Sequence, residues 1–172
     1  FVLQKVESKK LDIEFNATSV EPGVYVGNIK IMNEKEVFLL PLIFEVESQD
    51  VFFDVNIDIP PQYSEVKPGE KIVSQLKIFD LTYDSYSLGQ GAVTVDLEYY
   101  LSNVNGEIIG SESESIVVER QNQITKTLSL PSNIKEGDYV ASAIVKYRSS
   151  VGTASHLFIV KKEKTNSGIF SY

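Results

Sequence analysis

His156 is the one imidazole of the 172-residue chain, set between Ser155 and Leu157. A nucleophilic triad would need a serine and a carboxylate converging on it, and no Gly-x-Ser-x-Gly turn occurs. A half-exposed strand residue is the expectation. The chain has no cysteine, which removes thiol catalysis, disulfides and cysteine-ligated zinc. A lone histidine removes multi-histidine metal sites. Asp80 and Asp84, with Tyr83 and Tyr86, fall in a stretch rich in Tyr, Ser and Gly over 80–91. Acids beside aromatics suit Ca²⁺ or a sugar ring. Calcium requires six to eight oxygens, and the EF-hand spacing is absent. A glycosidase requires two carboxylates at a set separation, and no pattern supports one. The segment reads first as an inter-strand loop and second as a ligand loop. No catalytic residue, metal site or cofactor is expected.

Two surface features complete the chemical inventory. Asn16-Ala17-Thr18 is the only Asn-x-Ser/Thr triplet, making Asn16 a candidate N-glycan acceptor. Ser111-Glu112-Ser113-Glu114-Ser115 alternates hydroxyls and acids, as expected of an exposed edge that must not pair with another sheet. The chain carries 24 acidic against 16 basic residues, a net charge of −8. A nucleic-acid partner would call for a basic stripe instead. The longest apolar run, Val37 to Phe44, is interrupted by Pro41 and is far short of the about 20 residues that span a bilayer. Membrane attachment is therefore expected only through an anchor outside these residues. The chain opens on Phe1, and the expectation is a fragment of something longer.

The elements that would position these residues are strands. Val51, Phe53, Val55, Ile57 and Ile59 alternate with Phe52, Asp54, Asn56 and Asp58. The same period runs through Val93 to Leu101 and through Tyr139 to Tyr147, and a period of two is the mark of a strand. Rougher strands read at 11–16, 23–32, 36–47, 71–79, 107–119, 123–130 and 154–161, with a strand-like Phe1–Val6 at the start. Turn chemistry separates them: Glu21-Pro22-Gly23, Pro60-Pro61, Lys67-Pro68-Gly69, Asn105-Gly106 and Lys135-Glu136-Gly137-Asp138. Asn105-Gly106 predicts a tight hairpin, because both residue types tolerate positive φ. No helical period persists, so the fold class is all-β, a sandwich.

A weak internal repeat divides the chain. Residues 11–31 parallel 124–147: strand, short loop, Gly-x-Tyr, long strand, each followed by one more strand. The second copy is preceded by strands enough for a complete domain over 51–162. The first copy leaves a short or truncated domain over 1–50, and 163–172 reads as a linker or tail. In immunoglobulin-like sandwiches a tyrosine near the start of strand F closes a corner by bonding back to the backbone. Tyr25 and Tyr139 hold that position, with Gly27 and Ala141 where antibody-type domains place a cysteine. The glycine two residues before each tyrosine would give the turn its freedom.

Phe52-Phe53-Asp54-Val55, Val66-Lys67-Pro68-Gly69-Glu70 and Lys77-Ile78 resemble the tandem immunoglobulin-like modules of archaeal and bacterial secreted proteins, including CARDB-type domains. Leu130-Pro131, Glu136-Gly137-Asp138-Tyr139 and Leu157-Phe158-Ile159-Val160 are similar to the same modules. The resemblance covers 50–161 well and 11–47 in part. It implies a tandem immunoglobulin-like sandwich in an extracellular or cell-surface setting, serving as a stalk, adhesion or assembly segment without enzymatic activity. A protein or glycan partner could meet it there, and a carbohydrate-binding accessory module is the alternative. The incomplete first domain also predicts strand exchange into a homo-oligomer.

Overall fold

The computed structural model describes residues 10, 12–16, 18–82 and 91–162. They form ten strands: β1 Gly23–Met32, β2 Val37–Val46, β3 Phe53–Asp58, β4 Glu65–Val66, β5 Lys71–Asp80, β6 Val93–Asn103, β7 Ile108–Val118, β8 Gln121–Ser129, β9 Gly137–Tyr147 and β10 Ser150–Val160. A single 3₁₀ turn, Pro61–Tyr63, sits between β3 and β4. Sheet β4-β10-β9-β6-β7 faces sheet β3-β5-β8, and β1 with β2 makes a separate two-stranded sheet. Neighbours are antiparallel except β4, which runs parallel to β10.

The period-two pattern sets the core. Phe53, Val55 and Ile57 of β3 point inward while Asp54, Asn56 and Asp58 face water. Ile72, Leu76 and Ile78 meet Val95, Leu97, Tyr99 and Leu101 from the facing sheet, with Ala141, Ala143, Val145 and Phe158 completing one cluster. Each such aliphatic or phenyl side chain contributes about 1.5–3 kcal/mol on leaving water. One polar pair crosses this core: the Ser74 hydroxyl on β5 donates to the Tyr99 hydroxyl on β6 at 3.0 Å. Burial pushes the Tyr99 phenol up to about 12, because phenolate is disfavoured away from water.

The turns follow the residues placed in them, with corrections at three points. Pro68-Gly69 turns the chain into β5, Gly69 taking φ 82, the left-handed region glycine enters without a Cβ clash. The β6–β7 hairpin forms at Asn105-Gly106, but only Gly106 has positive φ, at 82. Its N–H donates to the Asn103 carbonyl at 2.9 Å, and the Asn103 N–H donates to the Glu107 carbonyl at 3.0 Å. The loop is thus a three-residue turn closed by a glycine bulge, not a two-residue turn. Of the two glycines before the corner tyrosines, Gly137 has φ 148 and Gly23 is not in the positive region. Residues 12–16, read above as part of a strand, are not one. No described strand pairs with them, and alternation without a neighbour leaves a ladder unmade. Phe1–Val6 and 163–172 lie outside the described residues.

β7 differs from expectation in what its acids do. Glu112 and Glu114 lie opposite Tyr99 and Leu97, so both share the inner face. There they clasp Lys126 of β8 at 3.1 and 3.0 Å, and Lys126 is only 8% exposed. Burial opposes the ammonium, but its hydrogen bonds to Glu114 and Glu112 outweigh that, and its pKa is raised. The stretch does guard an edge, by turning charge inward across the gap between the sheets.

Candidate functional site

Of the four residues predicted to hold a ligand in the 80–91 loop, Asp80 is the described one. Its Oδ1 accepts from the Thr82 N–H and from the Thr82 hydroxyl, both at 2.7 Å, and its own N–H donates to the Arg120 carbonyl at 2.9 Å. One oxygen of the carboxylate thus shapes the loop entrance. Tyr83, Asp84 and Tyr86 lie outside the described residues. His156 is half-buried on β10, opposite Ala141. Among the described residues no group of three or more His, Asp or Glu could hold a metal ion. Asn16 is exposed, and its Oδ1 accepts from the Thr18 N–H at 3.0 Å and from the Thr18 hydroxyl.

The two tyrosines make the same bond at two places. The Tyr139 hydroxyl donates to the Lys135 carbonyl at 2.9 Å, and the Tyr25 hydroxyl donates to the Glu21 carbonyl at 2.8 Å. The hairpins that follow share a register. Gly23 lies opposite Val46 and Met32 opposite Val37. Gly137 lies opposite Val160 and Lys146 opposite Val151. Tyr25 pairs with Phe44 as Tyr139 pairs with Phe158. Four residues separate Met32 from Val37 and four separate Lys146 from Val151, so β1–β2 keeps the register of β9–β10 without an insertion, although the β9–β10 ladder runs one pair further, to Tyr147 and Ser150.

What each hairpin covers is different. Directly opposed residues share a face, so one face of β1–β2 carries Tyr25, Gly27, Ile29 and Ile31 with Phe44, Leu42, Leu40 and Phe38. The matching face of β9–β10 is core. On β1–β2 no described strand lies over it, and it opens toward the hairpin tip: Ile31, Phe38 and Leu40 are each more than half exposed, while Ile29, Leu42 and Phe44 are half-buried. A Cβ added at Gly27 would meet nothing within 4 Å, whereas Ala141 at the matching place is fully buried. Among the described residues Phe15 stands against this face, its ring 4.4 Å from that of Phe44. None of the residues on it is charged.

The other face of β1–β2 packs on the outside of the five-stranded sheet. The Asn28 amide donates to the Val104 carbonyl and to Asn105 Oδ1, the Tyr100 hydroxyl donates to the Val24 carbonyl at 3.3 Å, and the Ser155 hydroxyl donates to Glu45. Val140, Ser142, Ile144 and Thr153 are buried although Val140 and Ile144 stand outside the core cluster. The connection between the hairpin and β3 is stitched down. The Ser48 N–H donates to the Val151 carbonyl at 3.1 Å, the Val151 N–H donates to the Ser48 hydroxyl at 2.8 Å, and the Phe52 N–H donates to the Ser150 hydroxyl at 2.8 Å.

The two facing sheets, with an edge strand parallel to the last strand and a tyrosine corner, have the architecture of an immunoglobulin-like sandwich. The fold is an all-β, immunoglobulin-like sandwich. No protein-family model matches the chain, and no curated protein does. Among solved structures it is similar to a CARDB domain of Pyrococcus furiosus determined with di-metal ions, at 17% identity and TM-score 0.41, covering 64% of this chain and 94% of that one. It is similar to a sporulation control protein of Bacillus subtilis at 14% identity and TM-score 0.46, covering 64% of this chain and 50% of that one. A family 123 glycoside hydrolase of Clostridium perfringens matches at 15% identity and TM-score 0.43, over 66% of this chain and 28% of the enzyme.

The open hairpin face went unread in the sequence for a plain reason. Val37-Phe38-Leu39-Leu40 reads as a strand, and only the fold shows each of the four more than half exposed. A signal was present: the apolar run continues on both sides of the pleat, through Leu39 and Val37 as well as Leu40 and Phe38. A strand half-buried against one sheet would instead alternate with polar residues.

Proposed function

We propose that the chain is a non-enzymatic immunoglobulin-like module pair serving as a stalk, adhesion or assembly segment of a larger extracellular or cell-surface protein. The observation that carries this reading is the joint. The segment after β2 is tied to β10 by backbone and serine bonds at 2.8–3.1 Å, so the hairpin is held against the sandwich rather than swinging on a linker. A spacer needs such a joint, since a slack linker transmits neither reach nor orientation. The net charge of −8 keeps such a segment soluble.

Protease shaving of intact cells that express the parent protein tests the setting. Peptides from residues 51–162 are expected in the released fraction, and their recovery only after lysis would overturn it. A glycan array separates the alternative. No binding is expected, and a saturable signal lost in Tyr83→Ala with Tyr86→Ala would replace the stalk reading with a carbohydrate-binding accessory module.

A further inference from the structure

Resting on the module reading above, we infer that β1–β2 is the last hairpin of a second immunoglobulin-like sandwich, and that the strands covering its open face precede Phe1 in a longer polypeptide. Four observations converge on this. The hairpin has the register of β9–β10, the same corner bond, the same Tyr–Phe cross-strand pair and the same spacing between matched pairs, Met32–Val37 and Lys146–Val151. In the complete sandwich β9 has a strand on each side, β10 and β6, and β10 lies across from β3. β1 has a neighbour on one side alone among the described residues. The missing parts are thus a strand at the free edge of β1 and a sheet of the β3-β5-β8 kind over Tyr25, Ile29, Ile31, Phe38, Leu40 and Leu42. Phe15 stands against Phe44, at the point of the chain that the end of β8 holds before β9.

The hairpin's docked face supports the same assignment. Beneath it the buried Ser102, Ser142 and Thr153 hydroxyls have no hydrogen-bond partner, and the Asn28, Tyr100 and Ser155 side chains bond across the contact. Contacts between domains are more polar than a core. The open face, uncharged throughout, is core-like.

A second copy is a poorer occupant. Strands of 10 residues, at about 3.4 Å rise and 4.8 Å apart, give two facing hairpins about 700–1,000 Å² of buried surface, under the about 1,200 Å² of a stable interface. The sandwich of a second copy has no spare sheet to offer. Preceding residues of the same polypeptide incur no association cost.

The test compares residues 1–172 with the polypeptide lengthened by the about 60 residues encoded upstream, which bring the first unit to the roughly 100 residues of such a sandwich. Amide hydrogen exchange is read at Val24–Ile31. In the longer chain these amides are expected to exchange at least about 100-fold more slowly, with residues 51–160 unchanged. Leu40→Lys in the longer chain is expected to remove the slowing. Leu39→Lys, on the docked face of the hairpin but exposed near its tip, is expected to keep it. Unchanged exchange in the longer chain would overturn the inference. So would a dimer of residues 1–172, seen by sedimentation and lost in Leu40→Lys, since a second copy would then be the cover. None of these results bears on cell-surface exposure or glycan binding, so this inference and the module reading fail separately.

Discussion

Tyr139 and Phe158 face each other across β9 and β10 at 6% and 1% exposure, while Tyr25 and Phe44 face each other across β1 and β2 with Tyr25 at 42%. The local chemistry of the two hairpins is the same: a corner bond to the carbonyl four residues back and a shared register. Their energetics are not. What separates them is the company each keeps, β3, β5 and β8 across from one and Phe15 across from the other. Turn residues and cross-strand pairs can build a hairpin, but the sheet laid over it decides what its side chains contribute.

The aromatic pair offers the largest test. Phe158→Ala should destabilise the sandwich by about 3–5 kcal/mol, since the void would lie in a packed core. Phe44→Ala in residues 1–172 should cost about 1 kcal/mol or less. Urea denaturation followed through the sandwich reads both. An equal loss from the two variants would show that the open face is covered in solution and would erase the distinction.

Position 152 sharpens the same contrast. A Cβ at Gly152 would stand 2.5 Å from the Phe53 carbonyl oxygen, because β3 passes directly over β10 there. Gly152→Ala should therefore cost about 3 kcal/mol through backbone displacement. The matching position of β2 holds Phe38, a phenyl group 57% exposed. Phe38→Ala should move the melting temperature by less than about 2 °C. If Gly152→Ala is neutral, β3 does not seat on β10 as described.

Alkaline titration probes the core that only one hairpin has. Tyr99 has its pKa raised from 10.0 to about 12, so the native state holds the phenol neutral after the unfolded chain has begun to ionise. Its contribution is present in full below pH 10 and fades as pH rises through 12, a loss of about 2–3 kcal/mol at 1.36 kcal/mol per pH unit. Lys126, its pKa also raised, acts in the same direction above the ordinary lysine range. Stability measured from pH 9 to 12 should fall along this course, and Tyr99→Phe should flatten it. A profile unchanged by that variant would place the alkaline loss elsewhere.

The strands of the sandwich were legible because one face of each is buried, and burial writes itself as alternation: Phe53, Val55 and Ile57 against Asp54, Asn56 and Asp58. Three things were not legible. β4 is two residues long, too short for any period to register. Lys126 stands in a polar stretch, Gln121 to Ser129, and its burial depends on Glu112 and Glu114 arriving from another strand. Residues 12–16 carry the alternation of a strand and lack the partner that would make them one. Each failure concerns contacts distant in sequence, which no local pattern encodes.

The smallest expected effect tests the one feature both hairpins have in full. Tyr139→Phe removes a hydroxyl whose acceptor, the Lys135 carbonyl, sits at a turn beside the core, and a lost bond of this kind costs about 1–1.5 kcal/mol. Tyr25→Phe removes the same bond from an exposed corner, where water replaces the donor at the Glu21 carbonyl, and should cost the sandwich about 0.5 kcal/mol or less. The corner is thus predicted to act locally, holding the entry to a hairpin and contributing to the fold only as far as the hairpin is packed. Chemical denaturation of both variants in residues 1–172 decides it. A loss from Tyr25→Phe equal to that from Tyr139→Phe would mean that β1–β2 folds as one cooperative unit with the sandwich, and that the bonds from Asn28, Tyr100 and Ser155 couple the two more tightly than a contact between modules should.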